Sequence, residues 1–165
     1  MKVGYYKMYF TKLLKFFSIS SRYLYLQDCK RNGMKIGKNL RIMSGVDFGS
    51  EPYLISIGNN VVISVGVLFS THDGGASVIR NIEDMKNKRI NTLGEINVGN
   101  NVFIGARAII LPNISIGDNV IIAAGAIVSK DIPSNTVFAG VPAKQIMTME
   151  EYRNKLYINN RISDK

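Results

Sequence analysis

Between residues 98 and 128 an aliphatic side chain recurs at every sixth position without a miss: Val98, Ile104, Ile110, Ile116, Ile122 and Val128. A period of six belongs neither to a 3.6-residue helix nor to a two-residue strand, so no single regular element carries it. A second register runs four residues behind the first, through Val102, Ala108, Ile114, Val120, Ala126 and Ile132, and Gly99, Gly105, Gly117 and Ala123 follow directly after members of the first. The unit is aliphatic, small, two free positions, aliphatic, one free position. It appears earlier as Ile36-Gly37-Lys38-Asn39-Leu40 and as Ile57-Gly58-Asn59-Asn60-Val61 followed by Ile63 and Val67, so repeats cover most of residues 36–142.

Each hexapeptide supplies one short strand and one corner, with its aliphatic residues turned into a prism that three hexapeptides close as one triangular coil. Asn and Gly fall at the corners because they adopt positive φ most cheaply. Parallel strands of successive coils stack about 4.8 Å apart, so about five coils make a rod of roughly 24 Å. Two breaks interrupt the period. Ile36 and Ile57 are 21 residues apart, three more than a multiple of six, which predicts a three-residue bulge near Ser50-Glu51-Pro52. Phe69 and Val98 are 29 apart, so an excursion of 5, 11, 17 or 23 residues is needed, and the charged stretch from His72 to about Leu93 fits the longer values. Thr148-Met149-Glu150-Glu151 has the form of a capping box that opens a last helix through Tyr152 and Leu156.

At 165 residues the chain holds one ordinary domain. Its expected parts are a basic amphipathic helical cap over 1–35, the repeat body over 36–143 with an excursion over about 72–93, and a helical tail over 144–165. The longest uncharged apolar run, Val120 to Val128, has nine residues against the roughly 20 of a membrane span. One cysteine, Cys29, allows no disulfide within the chain and fits a reducing compartment, and Lys12 and Lys15 interrupt any secretion signal. A cytoplasmic location is therefore expected. Residues 1–31 hold seven Lys/Arg and one Asp, which is +6 of the chain's +9. There Tyr6, Phe10, Leu13 and Phe17 share one helical face and Lys12 and Lys15 the other. Such a helix caps the open end of a core or docks on the anionic inner face of a membrane; no nucleic-acid motif accompanies it.

The segment Ile116-Gly117-Asp118-Asn119-Val120 through Ala124-Gly125-Ala126, Val128-Ser129-Lys130-Asp131-Ile132-Pro133 and Ala139-Gly140-Val141-Pro142-Ala143-Lys144 resembles the C-terminal signature of galactoside, maltose and xenobiotic O-acetyltransferases. These are hexapeptide-repeat acyltransferases of the left-handed parallel β-helix type, an all-β fold, and the resemblance covers residues 36–147. Ser50-Glu51-Pro52-Tyr53 together with Thr71-His72-Asp73-Gly74-Gly75 resembles more closely the enzymes that acetylate capsule, exopolysaccharide or O-antigen sugars. The resemblance implies a homotrimer, acetyl-CoA in a groove between neighbouring rods, and a loop histidine as base. It places His72 as that base and the Ala106 backbone N–H as oxyanion donor. Phe103, Ala106, Ala124, Ser129, Lys130 and Lys144 fall on the cofactor path. Two departures stand out: Met147 occupies a position that is basic in those enzymes, and His72 is alone where they carry several histidines.

Transfer of an acetyl group from a thioester to a sugar hydroxyl requires removal of a proton from a scarcely ionised alcohol, a task suited to a positioned imidazole. His72 would take the acceptor proton and return it to the departing thiolate, without an acyl-enzyme. Asp73 is a candidate to orient the ring, or a turn residue before Gly-Gly; Glu51 in the bulge is a candidate to bind acceptor hydroxyls, or a surface carboxylate. A carbonic anhydrase of similar architecture needs three His ligands from two subunits, which one His per chain cannot supply, and no metal is expected. An N-acetyltransferase acting on an amino sugar and a catalytically silent scaffold remain as rivals, the latter separated by whether acetyl-CoA raises thermal stability.

Overall fold

The computed structural model describes residues 21–82 and 92–159. A helix, here α1, spans residues 21–31; the amphipathic helix expected through Tyr6, Phe10, Leu13 and Phe17 lies outside the described residues. Coils of up to three short strands follow. The first holds β1 (Lys35–Ile36) and β2 (Arg41–Ile42); the second β3 (Ile55–Ile57), β4 (Val62–Ile63) and β5 (Leu68–Phe69). After α2 (Ala76–Ile82) come β6 (Ile96–Val98), β7 (Val102–Ile104) and β8 (Ile109–Ile110), then β9 (Ile114–Ile116), β10 (Val120–Ile122) and β11 (Ile127–Val128), and finally β12 (Thr136–Ala139). Successive strands of one coil enter three different parallel sheets. We call A the sheet β1-β3-β6-β9, B the sheet β2-β4-β7-β10-β12 and C the sheet β5-β8-β11. Asp47 bridges to Leu68 and Ile132 to Ile116, which extends C and A by one position each.

All twelve members of the two sequence registers between residues 98 and 132 are buried, none more than 5% exposed. Ile104 stacks between Ile63 and Ile122, and Ile110 between Phe69 and Val128, so each aliphatic residue meets its counterparts on the neighbouring coils. Burial of each such side chain contributes about 1.5–3 kcal/mol. The corners have the chemistry expected of them. Asn39, Asn60, Asn101, Asn119 and Asn135 all have positive φ at the A-to-B corner. Their amides join coil to coil, Asn39 donating to Asn60 at 2.9 Å and Asn101 to Asn119 at 2.7 Å. Coils also touch backbone to backbone: a Cβ on Gly58 would lie 2.5 Å from the Gly99 carbonyl oxygen.

Register fixes the size of the excursion. Val98 pairs with Ile116, 18 residues on, whereas Ile57 pairs with Val98, 41 residues on. The excursion therefore inserts 23 residues, the longest of the four expected lengths, and the earlier bulge forms a 3-10 turn at Pro52–Leu54. The tail departs from expectation at its start. Residues 144–148 form a strand, β13 (Lys144–Thr148), antiparallel to β12, because the chain must reverse to cover the open last rung of sheet B. The helix α3 (Met149–Ile158) begins only after it, with Thr148 and Glu151 forming the capping box. At the other end α1 places Tyr25, Leu26 and Cys29 against the first coil, and the Tyr25 ring stacks on Phe48 at 5.9 Å.

Candidate active site

Both insertions leave the rod where the chain passes from sheet C to sheet A, one coil apart. This places the bulge directly beside the mouth of the excursion. The excursion is pinched at its base: Gly94 N–H donates to Thr71 O at 2.8 Å, Asp73 N–H donates to Thr92 O at 3.1 Å, and His72 bridges antiparallel to Leu93. Thr71 is fully buried, so the next residue, His72, starts from an anchored backbone. The Ser70 hydroxyl also donates to the His72 carbonyl at 3.0 Å.

His72 Nδ1 lies 2.9 Å from Glu51 Oε2. That same oxygen accepts from the Thr71 hydroxyl at 2.6 Å, and Ser50 Oγ donates to Oε1 at 2.8 Å. The hydrogen bonds from Thr71 and His72 hold the Glu51 carboxyl at about 2, far below its ordinary 4.5. Glu51 is therefore ionised at any neutral pH and only accepts hydrogen bonds, so Nδ1 carries the proton of this contact. In the neutral ring Nε2 then bears the lone pair. Among the described residues Nε2 has no protein partner, and the side chain is 47% exposed. The arrangement is an imidazole with its orientation and tautomer set from behind.

Glu51, assigned by sequence to acceptor hydroxyls, thus has both carboxylate oxygens engaged within the protein. Asp73, the sequence candidate for orienting the ring, does not contact it: its Oδ1 accepts from Gly75 N–H at 2.8 Å in a local turn. The orienting carboxylate is instead the one a coil away. The signal was present in the numbering, since Glu51 and His72 are separated by one 18-residue coil plus the three-residue bulge. Thr71 and Ser50, which hold Glu51, were not singled out by sequence.

Beside the mouth of the excursion runs an open groove of about 360 Å³ lined by Asp73, Thr92, Leu93, Leu111, Pro112, Asn113 and Ser129. Ser129 is thus brought near the excursion, with exposed Lys130 next to it. The other predicted residues lie elsewhere. Ala106 and Ala124 stand one above the other at the B-to-C corner, where Gly125 N–H donates to Ala106 O at 2.8 Å. Their own N–H groups donate to no protein group among the described residues. Arg107, with φ of 58°, fills a corner position that Gly45, Gly66 and Gly125 fill on the other coils, a local strain of about 1–2 kcal/mol beside the Ala106 N–H. Phe103 is exposed on the outer face of sheet B, and Lys144 begins β13. Within one chain the width of sheet C, roughly 16 Å by strand rise, separates the Ala106 corner from the His72 corner.

The outer faces differ in character. Sheet A shows Ser56, Asn97 and Ser115 to the outside. Sheet B shows Val62, Phe103 and Ile121, and sheet C shows Leu68, Ile109 and Ile127. Apolar stripes on the two faces that meet at the Ala106 corner mark surface suited to cover.

Comparison with known proteins fits this geometry. Residues 95–130 match the bacterial transferase hexapeptide family, six repeats. The chain is 47% identical over 156 residues to Protein CapG of Staphylococcus aureus, covering 93% of this chain and 84% of that one. It is 41% identical over 107 residues to the galactoside O-acetyltransferase of Escherichia coli K12, covering 65% of this chain and half the length of that enzyme. Among solved structures, a maltose O-acetyltransferase from Clostridium difficile 630 superposes with a TM-score of 0.59 at 28% identity, covering 86% of this chain and 84% of that one.

Proposed function

The chain belongs to the bacterial hexapeptide-repeat transferase family and is an acetyltransferase; on that premise we propose that it moves the acetyl group of acetyl-CoA directly to a hydroxyl of a surface-polysaccharide sugar. The coil is left-handed in this reading, and the working unit is a homotrimer in the cytoplasm, where acetyl-CoA is made. One observation carries the mechanism: Nδ1 of His72 is bound to an ionised carboxylate, which leaves Nε2 as an open proton acceptor.

In the reaction His72 Nε2 takes the proton of the acceptor hydroxyl as that oxygen attacks the acetyl carbonyl. The C–S bond breaks, and Nε2 returns the proton to the departing thiolate sulfur. Glu51 opposes the positive charge the ring carries between these transfers. A base of this kind contributes roughly 10²- to 10⁴-fold. The Ala106 N–H, free of any protein acceptor among the described residues, donates to the carbonyl oxygen as negative charge develops there, an interaction of roughly 10²- to 10³-fold. Because sheet C separates Ala106 from His72 within one chain, the two groups act together across neighbouring copies, whose contact covers the apolar stripes of sheets B and C. The residues present fit the coenzyme: Ala106 stands at its thioester, Ala124 offers an unpaired N–H to its amide chain, Phe103 an apolar wall, Ser129 a hydroxyl, and Lys130 and Lys144 cations for its phosphates. Asp73, which lines the groove at the mouth of the excursion, meets the acceptor in this reading.

The test is release of free CoA from acetyl-CoA in the presence of a panel of sugars and nucleotide sugars, with a thermal melt in millimolar acetyl-CoA alongside. The reading expects a raised melting temperature and turnover with a hydroxyl acceptor. Turnover confined to amino sugars moves the acceptor atom to nitrogen; neither stabilisation nor turnover with any acceptor overturns the reading in favour of a scaffold.

A further inference from the structure

The positive charge of this chain sits at one end of the rod. Residues 1–46 hold ten Lys/Arg and one Asp, a net +9, while residues 47–165 hold eleven of each sign and sum to zero. The described part of the basic region is α1 and the first coil, with Arg22, Lys30, Arg31, Lys35, Lys38 and Arg41. Lys30, Arg31, Lys35, Lys38 and Arg41 have no carboxylate within salt-bridge distance among the described residues, where the one ion pair is that of His72 with Glu51. Lys35 and Arg41 lie on β1 and β2, the first strands of sheets A and B, and Lys38 lies at the corner between them. Lys30 and Arg31 end the helix that packs over that same coil.

A collar of cations on an edge rung has a structural explanation, since charge keeps open strand edges from pairing with other chains. The helix carries something that explanation does not require. With Tyr25, Leu26 and Cys29 turned toward the prism, α1 leaves Tyr23 62% and Leu24 66% exposed, close to Lys30 and Arg31 in helical position. Aromatic and aliphatic side chains beside lysine and arginine on one outward helix face are the composition of an interfacial helix. A polyanion such as nucleic acid would use the cations but has no use for an exposed leucine.

We propose that this end of the rod docks on an anionic lipid surface, with α1 and the first coil against the headgroups and Tyr23 and Leu24 at the acyl boundary. The contact proposed is peripheral; among the described residues no helix is long and apolar enough to cross a membrane. This inference stands apart from the acetyl-transfer reading and survives or fails without it.

The test is co-sedimentation of the full-length protein with phosphatidylcholine vesicles containing 30 mol% phosphatidylglycerol, and with pure phosphatidylcholine, at 50 mM and 500 mM salt. Binding is expected only to the anionic vesicles and is expected to fall at high salt, because the Debye length shrinks from above 10 Å to below about 5 Å. At about 1 kcal/mol per basic residue near the surface, Lys30→Gln with Arg31→Gln weakens binding about 30-fold. Arg153→Gln with Lys155→Gln, which removes the same charge at the far end, leaves it within about threefold. Leu24→Ser weakens binding with no change in net charge. Thermal melts of all variants should match the wild type, since every substituted side chain is exposed. The proposal is overturned if anionic vesicles do not sediment the protein at 50 mM salt, if both double variants weaken binding equally, or if Leu24→Ser binds as wild type. Retention of single-stranded DNA with no vesicle binding overturns it in favour of a nucleic-acid partner.

Discussion

Replacing Glu51 by Gln keeps the shape of the side chain and removes its charge, and its effect follows from three hydrogen bonds. Oε2 accepts from both Thr71 and His72, and Oε1 accepts from Ser50. A carboxamide has one oxygen, which must take the position of Oε2 to keep two donors satisfied. Its NH₂ then faces Ser50, whose hydroxyl turns to accept. In that arrangement the ring keeps its place but loses the countercharge, at the low end of the about 1.5–3 kcal/mol assigned to hydrogen bonds with charged groups. In the opposite flip NH₂ confronts Nδ1–H and the high end applies. At about 1.4 kcal/mol per tenfold, kcat falls about 10- to 100-fold, less than the loss of His72 itself, with KM for acetyl-CoA unchanged. The assay is steady-state CoA release by purified Glu51→Gln at pH 7. A second readout is acid unfolding. The wild-type carboxyl is held at about 2 against an ordinary 4.5. Its contribution to stability is therefore present above pH 4.5 and lost as pH falls toward 2, a dependence the Gln variant lacks. A kcat within twofold of wild type, or an unchanged kcat with a tenfold rise in KM for the acceptor, would refute the positioning role and return Glu51 to acceptor binding.

Two further outcomes test how the rod is built. Gly58→Ala puts a Cβ 2.5 Å from the Gly99 carbonyl, a backbone atom that cannot turn aside, and destabilises by about 1–3 kcal/mol in urea unfolding at fixed protein concentration; a change within 0.5 kcal/mol would contradict the packing described. Burial raises the Tyr25 hydroxyl to about 12 from 10, so the protein loses stability as pH rises from 10 through 12, and Tyr25→Phe removes that dependence. The same variant leaves Phe48 N–H, which donates to Tyr25 Oη at 2.9 Å, without its acceptor, at a cost of about 1–3 kcal/mol at neutral pH.

The rod was legible because its rule is one-dimensional. Every inward position between residues 98 and 132 follows from counting by six, and the corner Asn residues from the cost of positive φ. The length of the excursion was legible only modulo six, since any multiple restores the register; the pairing of Ile57 with Val98 resolves it. The site was half legible. His72 stood out as the one imidazole, but its partner was sought next to it in sequence, at Asp73, whereas stacking brings together residues one coil apart. The first strand of the tail, Lys144–Thr148, escaped because its pairing depends on the open edge of β12 rather than on any period of its own.

The central claim is that His72 Nε2 is the base of the transfer. Turnover of His72→Ala on the best acceptor, measured beside wild type with acetyl-CoA saturating, tests it without intermediaries. The account predicts a fall of roughly 10²- to 10⁴-fold with the melting temperature and its rise in acetyl-CoA retained; a variant that turns over at the wild-type rate contradicts it.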